Sequence, residues 1–260
     1  MSATADPAAL VRPAAGGRAD PLTVQVLSKR FGERLVLHDV NLVLRAGETV
    51  SLVGASGCGK STLLRIAAGL DRDYTGQVRF ADAAGRPAPR DIGVVFQEPR
   101  LFPWLTVAQN VAFGIGAPRH DEHALALLAE VGLAAQAQAL PKQLSGGQAQ
   151  RAAIARALYA QPRVLLLDEP FSAVDAFTRM KLQDLLAGLA QRHGVTLLLV
   201  THDIEEAVLL GDRVVVLGSE AQGIVDEVAI ALPRPRDRRD VRLASVRAHV
   251  LDALHQAHAL

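Results

Sequence analysis

The chain has 260 residues, 50% of them hydrophobic, enough to bury a substantial core as one large domain or as two lobes that share one. Its 28 Lys+Arg and 27 Asp+Glu leave a formal net charge of +1, with no long single-sign run before the C-terminal tail, which argues against a dedicated nucleic-acid binder. A single cysteine excludes an intrachain disulfide and points to a reducing compartment, and no stretch approaches the roughly 18 apolar residues of a membrane span.

Residues 1–21 are rich in Ala, Pro and Gly, with Asp6, Arg12, Arg18 and Asp20 scattered among them. They contain no signal-peptide apolar block and are expected to form a disordered arm. Apolar residues then alternate over Leu22–Val26 and Val40–Leu44, as in half-buried strands, with a turn signal at Gly32 and an exposed aromatic candidate at Phe31 between them. After the turn Arg45–Glu48, a β-prone run from Thr49 to Val53 leads into GASGCGKST, Gly54 to Thr62. Leu63, Leu64, Ala67 and Ala68 follow at helical spacing until Gly69.

Strand, glycine loop and helix in this order fit the phosphate-loop pattern G-x-x-x-x-G-K-[ST]. Glycines at 54, 57 and 59 let the backbone fold around an anion, so that Gly54, Ala55, Ser56, Gly57, Cys58 and Gly59 offer successive N–H groups to phosphate oxygens. Lys60 would reach the β- and γ-phosphates, Ser61 would supply a hydroxyl to Mg²⁺, and Thr62 lies within reach of the α-phosphate. A glycine-rich turn with a chance lysine is the bland alternative, and the flanking strand and helix argue against it. Cys58 inside the loop reads as a small side chain that fits rather than as a redox switch.

Further along, Gln77–Phe80 and Ile92–Phe96 are short apolar runs, the second ending at Gln97. Residues 98–160 carry no convincing strand and predict helices over Thr106–Phe113, Glu122–Val131 and Gln148–Tyr159, broken at Gly132, Pro141 and Gly146-Gly147. The strand framework resumes at Val164–Leu167 and ends in Asp168-Glu169-Pro170. A helix (Asp175–His193), a strand (Thr196–Val200), a helix (Ile204–Leu210) and a strand (Arg213–Leu217) follow, which indicates a parallel sheet with helices on both faces. Residues 233–239, PRPRDRR, read as a solvated basic linker, with contact to acidic lipid or a partner as the functional alternative. The last predicted helix, 241–256, puts Leu243, Val246, Val250, Leu251 and Leu254 on one face.

Asp168 sits at the carboxyl end of a wholly apolar strand, where ligands gather in open α/β sheets, and would hold Mg²⁺ directly or through water. Glu169 points elsewhere and is free to orient and polarise an attacking water. Phosphate loop and acidic pair together indicate a nucleoside triphosphatase. Neither His120 nor His123 has a third nearby ligand, so no metal site is expected there.

At Leu144–Gln148 the chain reads LSGGQ, and in this context it resembles the ATP-binding cassette (ABC) family, whose signature motif is this pentapeptide. The resemblance covers roughly residues 22–220. It implies a P-loop ATPase with a RecA-like parallel-sheet core, an antiparallel β subdomain and an inserted helical subdomain at about 98–160, within a cassette domain over 22–232 followed by a linker and helix over 233–260. It gives Gln97 contact with Mg²⁺ and the attacking water, His202 contact with the γ-phosphate, and Phe31 stacking on adenine. Ser172-Ala173-Val174-Asp175 would form the loop that crosses a dimer interface, with Asp175 beside the nucleotide. Two cassettes would pair head to tail, each ATP held by the phosphate loop of one chain and by Ser145, Gly146, Gly147 and Gln148 of the other. Phe31 where tyrosine is common, Ala149 after the signature glutamine and Val174 for the usual leucine are departures that remove no catalytic group.

The run QEPRLFPWLTVAQNVAFGI, 97 to 115, resembles importer ATPases for nitrate, taurine and aliphatic sulfonates, and the tail from PRPR through VRLASVRAHVLDAL resembles the sulfonate subunits in particular. Leu101, Phe102 and Trp104 would form an apolar socket for a permease helix. The resemblance thus implies a peripheral ATPase on the cytoplasmic face of the inner membrane, partnered by two transmembrane permease subunits and, indirectly, by an extracytoplasmic solute-binding protein. Taurine and nitrate remain alternative cargoes, and a soluble ABC ATPase acting on nucleic acid or ribosomes is the alternative of a different class. A basic groove or a second cassette would favour that last reading, and neither is visible.

Overall fold

A computed structural model describes residues 21–82, 84–88, 91–113 and 121–258. The expected N-terminal arm, save Pro21, lies outside them, as do His120 and the end of the 97–115 run.

Two sheets form the framework. In the smaller one, β1 (Leu22–Phe31) lies between β2 (Arg34–Leu44) and β4 (Thr75–Phe80) and runs antiparallel to both. The larger has six strands in the order β5 (Ile92–Val95), β6 (Val164–Asp168), β7 (Thr196–Val200), β3 (Thr49–Gly54), β8 (Arg213–Leu217) and β9 (Ile224–Ala229). All neighbours in it are parallel except β8 and β9. Every residue of β6, β7 and β8 is buried, the condition under which a strand reads as a continuous apolar run rather than an alternating one.

Helices cover both faces. On one, α1 (Lys60–Ala68) buries Leu63, Leu64, Ile66 and Ala67 between the large sheet and the inward side of the small one, meeting Leu22, Val24, Leu42 and Leu44. On the other, α5 (Ala176–His193) packs with a helical layer of α2 (Val107–Val111), α3 (Glu122–Glu130) and α4 (Gly146–Tyr159). Beyond β8, α6 (Ile204–Leu210) and α7 (Val241–His258) close the end of the core. Because β3, β5, β6 and β7 run parallel, the segments that follow them all emerge along one edge.

The structure alters several local expectations. The first two strands continue past Val26 and start before Val40, forming a hairpin closed at Phe31↔Arg34. A register shift at Lys29/Arg30 and a buried Lys29, ion-paired with Asp71 at 3.0 Å, break the apolar alternation that would have revealed this. Gly146-Gly147 opens α4 instead of breaking the chain, because Ser145 caps the helix and Gln148 closes the capping box. In strand β9, Asp226 and Glu227 interrupt the apolar residues at its centre, and it has no counterpart among the predicted elements. In α7, Leu251 is exposed, and Ala253 and Ala257 complete the buried face with Leu243 and Val250.

The basic stretch is largely exposed, but three of its arginines make tertiary contacts. Arg236 donates to the carbonyls of Val208 (3.0 Å), Leu209 (3.1 Å) and Ile230 (3.2 Å), and also to that of Gly211, so its guanidinium neutralises the carboxyl end of α6. Burial, with the nearby Arg234 charge adding to it, lowers its pKa to about 10, which leaves it charged at neutral pH. Arg234 pairs with Asp212 at 3.1 Å, and Arg238 with Asp184 at 2.8 Å. The segment straps α7 to the core.

Replacing Arg236 by Met should leave these carbonyls without a donor and cost about 3 kcal/mol of stability. Equilibrium urea unfolding checks this, and a change within about 0.5 kcal/mol would mark the segment as a surface linker after all.

Candidate nucleotide site

Gly57 and Gly59 adopt φ of +78° and +109°, values that turn the loop between β3 and α1 in on itself. A Cβ at Gly59 would lie 2.6 Å from Leu37 Cδ2, so the small sheet closes beneath the loop and admits no side chain there. A Cβ at Gly54 would meet Leu217 O at 2.6 Å and Cys58 Sγ at 2.8 Å. Cys58 fills that space as part of the core, and burial pushes its thiol above the ordinary range, opposed less strongly by the Lys60 charge. The packing favours the reading of Cys58 as a small buried filler.

Helices α2, α3, α4, α5 and α6 are capped by the side chains of Thr106, Asp121, Ser145, Asp175 and Asp203. Helix α1 begins at Gly59 without a side-chain cap and has no acid in its first turn. Its leading N–H groups stay available to an anion. Lys60 is 7% exposed, and its Nζ donates to Gly54 O at 2.9 Å and Ala55 O at 2.7 Å, so the ammonium is held over the loop by carbonyls alone. The donor set fits a polyphosphate.

Ser61 Oγ donates to Asp168 Oδ1 at 2.8 Å, which joins the loop to the end of β6. A hydroxyl and a carboxylate so close together suit a hard cation such as Mg²⁺. Glu169 has φ of +46°, an uncommon conformation for a non-glycine residue, and its N–H donates to Val200 O at 2.9 Å. The turn directs its carboxylate to His202, with Oε2 lying 3.2 Å from Nδ1. His202 follows β7 and is 64% exposed at its side chain. Phe31, Ser56, Gly57, Gly59, Lys60, Ser61, Thr62, Glu169 and His202 line one open cleft. Arg34 and Val36, which the sequence reading did not single out, line it too, carried there by the hairpin that holds Phe31.

Gln97 is exposed just beyond β5 at the same edge, since Val95 pairs with Leu167 one residue before Asp168. The chain around it is tied to α4, with Gln150 Nε2 on Phe96 O at 3.3 Å and Arg156 on Pro99 O and Arg100 O at 2.8 and 2.7 Å. Further on, the buried Asn110 amide fixes the Phe102–Thr106 turn through four hydrogen bonds. Phe102 stacks near Trp104 and Phe113, at 5.6 and 4.3 Å between centroids, and Trp104 is 71% exposed. Leu101 packs into the helical layer instead and leaves the expected socket to the three aromatics.

Ser145, Gly147 and Gln148 do not line this cleft. They face a separate depression with Arg151, Thr178 and Lys181, where the Thr178 side chain closes on Gly147. Asp175 is likewise occupied locally, accepting from Phe177 N at 3.1 Å and Thr178 N at 3.0 Å, and hydrogen bonds from the Thr178 hydroxyl and backbone hold its carboxyl below the usual range. Within one chain these residues therefore stand apart from the phosphate loop.

The sequence matches the family described as ABC transporter over residues 37–172. It is 59% identical over 245 residues to an aliphatic sulfonates import ATP-binding protein of Xanthomonas axonopodis pv. citri, an alignment spanning 91% of this chain and 97% of that one. A protein of the same description from Pseudomonas syringae pv. tomato is 55% identical, with 92% and 100% of the two chains covered. Among solved structures, a dimeric ATP-binding cassette in a post-hydrolysis state with ADP and phosphate is similar at a TM-score of 0.68 and 34% identity, covering 83% of this chain and 100% of that one. A component of the cbiONQ ABC transporter complex of Clostridium perfringens is similar at 0.72 and 26%, covering 90% and 95%. The α/β arrangement with one largely parallel and one antiparallel sheet is accordingly the P-loop fold of these ATPases, and the chain belongs to the ABC transporter family, among its ATP-binding proteins.

Proposed function

We propose that this chain is the ATP-hydrolysing subunit of an importer of aliphatic sulfonates, acting as a homodimer beneath two transmembrane permease subunits at the cytoplasmic face of the inner membrane. The relatives named for aliphatic sulfonate import, alike over nine-tenths of the chain, support the cargo. The observation that carries the ATPase reading is the Glu169–His202 contact of 3.2 Å on the cleft that also holds the Lys60 loop.

In this reading Phe31 stacks on the adenine, while the loop N–H groups and the uncapped start of α1 receive the phosphates. Lys60 exchanges its two carbonyl partners for phosphate oxygens, and Thr62 reaches the α-phosphate. Ser61, Asp168 and Gln97 would hold Mg²⁺, which supplies charge to the β- and γ-phosphate oxygens. Glu169 Oε2 orients the attacking water and accepts its proton, and His202 steadies that carboxylate and meets the γ-phosphate. The uncommon backbone conformation at Glu169 fits such a role, since the turn separates its carboxylate from that of Asp168.

The separation of Ser145–Gln148 from the cleft supports head-to-tail pairing, in which the start of α4 and the Asp175 loop of one copy complete the site of the other. Loss of the γ-phosphate would then remove the charge joining the two copies. The Phe102, Trp104 and Phe113 cluster is the proposed permease contact, connected to Gln97 through the segment that α4 anchors. The domain limits follow the same reading, with the cassette over 22–232, its helical part at about 98–160 and the C-terminal strap and helix beyond. An extracytoplasmic binding protein would select the cargo. No helix among the described residues is long and apolar enough to cross a membrane.

Glu169→Gln is expected to keep ATP binding, lower turnover by at least about 100-fold and accumulate an ATP-bound dimer visible by gel filtration. Hydrolysis at the wild-type rate would remove Glu169 from the mechanism. Trp104→Ala should weaken recovery of the permease with the tagged subunit from membranes while ATP binding by the free subunit is unchanged. Undiminished co-purification would return Trp104 to packing within the aromatic cluster.

A further inference from the structure

Directly behind His202 lies a buried polar chain that none of the roles above uses. Thr201 is 1% exposed, and its hydroxyl donates to Glu206 Oε2 at 2.7 Å while accepting from Asp203 N at 3.0 Å. Both neighbours of His202 are therefore fixed from inside. Glu206 is 5% exposed, and its second oxygen accepts from Gln183 Nε2 of α5 at 3.1 Å. The amide of Gln183 can present its nitrogen to Glu206 because its oxygen is taken by Arg238 Nη2, also at 3.1 Å. Arg238 is held in turn by Asp184 and by Met180 O, at 2.8 and 3.1 Å. The chain thus runs from the C-terminal strap, through α5, to the turn that carries His202.

A buried carboxylate with two directional donors is costly to maintain unless each partner is in place. Its pKa is pushed upward by burial and only partly restored by the Thr201 hydroxyl. Arg179 offers balancing charge from 3.8 Å, and its Nε is the one buried side-chain nitrogen or oxygen among the described residues without a hydrogen-bond partner. Apolar residues would fill this space at less cost, so the network's consequence is geometric. With Thr201 pinned inward, His202 projects outward to the Glu169 carboxylate.

We propose that Glu206 and Gln183 are positioning residues for hydrolysis, and that Arg238 of the C-terminal strap sets the reaction rate by fixing the amide orientation of Gln183. The inference rests on the ATPase reading above and adds to it a connection from the tail to the catalytic turn. None of the three residues touches the nucleotide cleft, so each should act on turnover rather than on binding.

The test uses the full chain with Mg²⁺ and ATP, measuring turnover, affinity for a fluorescent ATP analogue and melting temperature. Glu206→Gln and Gln183→Met should each lower kcat about tenfold while analogue affinity stays within about twofold. Arg238→Met should lower kcat about threefold, and Arg238→Lys should recover part of the loss because a donor to Gln183 returns. In a His202→Gln background, followed by single-turnover hydrolysis, adding Glu206→Gln should change the rate by no more than about twofold, since the positioned group is already gone. Equal losses with and without His202, unchanged kcat, or kcat falling in step with affinity and melting temperature would overturn the proposal. If one variant fails to fold, the others carry the same comparison. A wild-type chain that binds but does not hydrolyse ATP would instead overturn the ATPase reading itself, and this inference with it.

Discussion

The uncapped start of α1 is the constraint from which most of the molecule follows. No side chain caps its leading N–H groups, which face the open cleft over the stretch where the chain must turn most tightly. Such a loop holds its shape only if its surroundings are rigid. The buried β3, the Cys58 side chain beneath Gly54 and the Leu37 methyl beneath Gly59 provide that rigidity from three directions. The small sheet therefore belongs to the nucleotide site twice over, by supporting the loop from below and by carrying Phe31 to the mouth of the cleft.

Parallel pairing supplies the second ingredient. Carboxyl ends of β3, β6 and β7 deliver Lys60, Asp168, Glu169 and His202 to one edge with spacings that a flexible loop could not maintain. The same rigidity keeps the SGGQ helix away from that edge. A single chain thus holds both halves of the proposed interface apart, and in the proposed head-to-tail dimer that intrachain separation would become a means of control. An ATPase built in this way would respond to its partners before it responds to ATP alone.

Away from the cleft, Arg236 and Arg238 of the C-terminal stretch reach backbone carbonyls and a buried amide. Arg236 completes the end of α6, and Arg238 reaches the polar chain behind His202. Through Gln183 and Glu206 the tail is linked by hydrogen bonds to the turn that carries His202. If the proposed roles hold, changes in its sequence would reach that turn through contacts only a few ångströms long.

Local chemistry determined what could be read from the chain alone. Strands β3, β6, β7 and β8 declare themselves because burial on both faces demands unbroken apolar runs, and the phosphate loop declares itself because only glycine tolerates its backbone. Lys60, Ser61, Asp168 and Glu169 could be singled out from the strand ends they follow, whereas Gln97, the residues Ser145–Gln148 and His202 stood out only through resemblance to the family's motifs. Tertiary structure decided the remainder, where a residue's role depends on partners distant in sequence. Lys29 looks like a break in a strand until Asp71 pairs with it, and Asp226 and Glu227 look like loop until β8 lies alongside. Arg236 looks as solvated as the rest of PRPRDRR until the carbonyls of α6 face it, and packing of Leu101 against the helical layer is decided only when Trp104 is left exposed beside it. Periodicity records which side of its own element a residue takes, whereas a buried charge or an edge strand is stabilised only by the groups that folding brings to it.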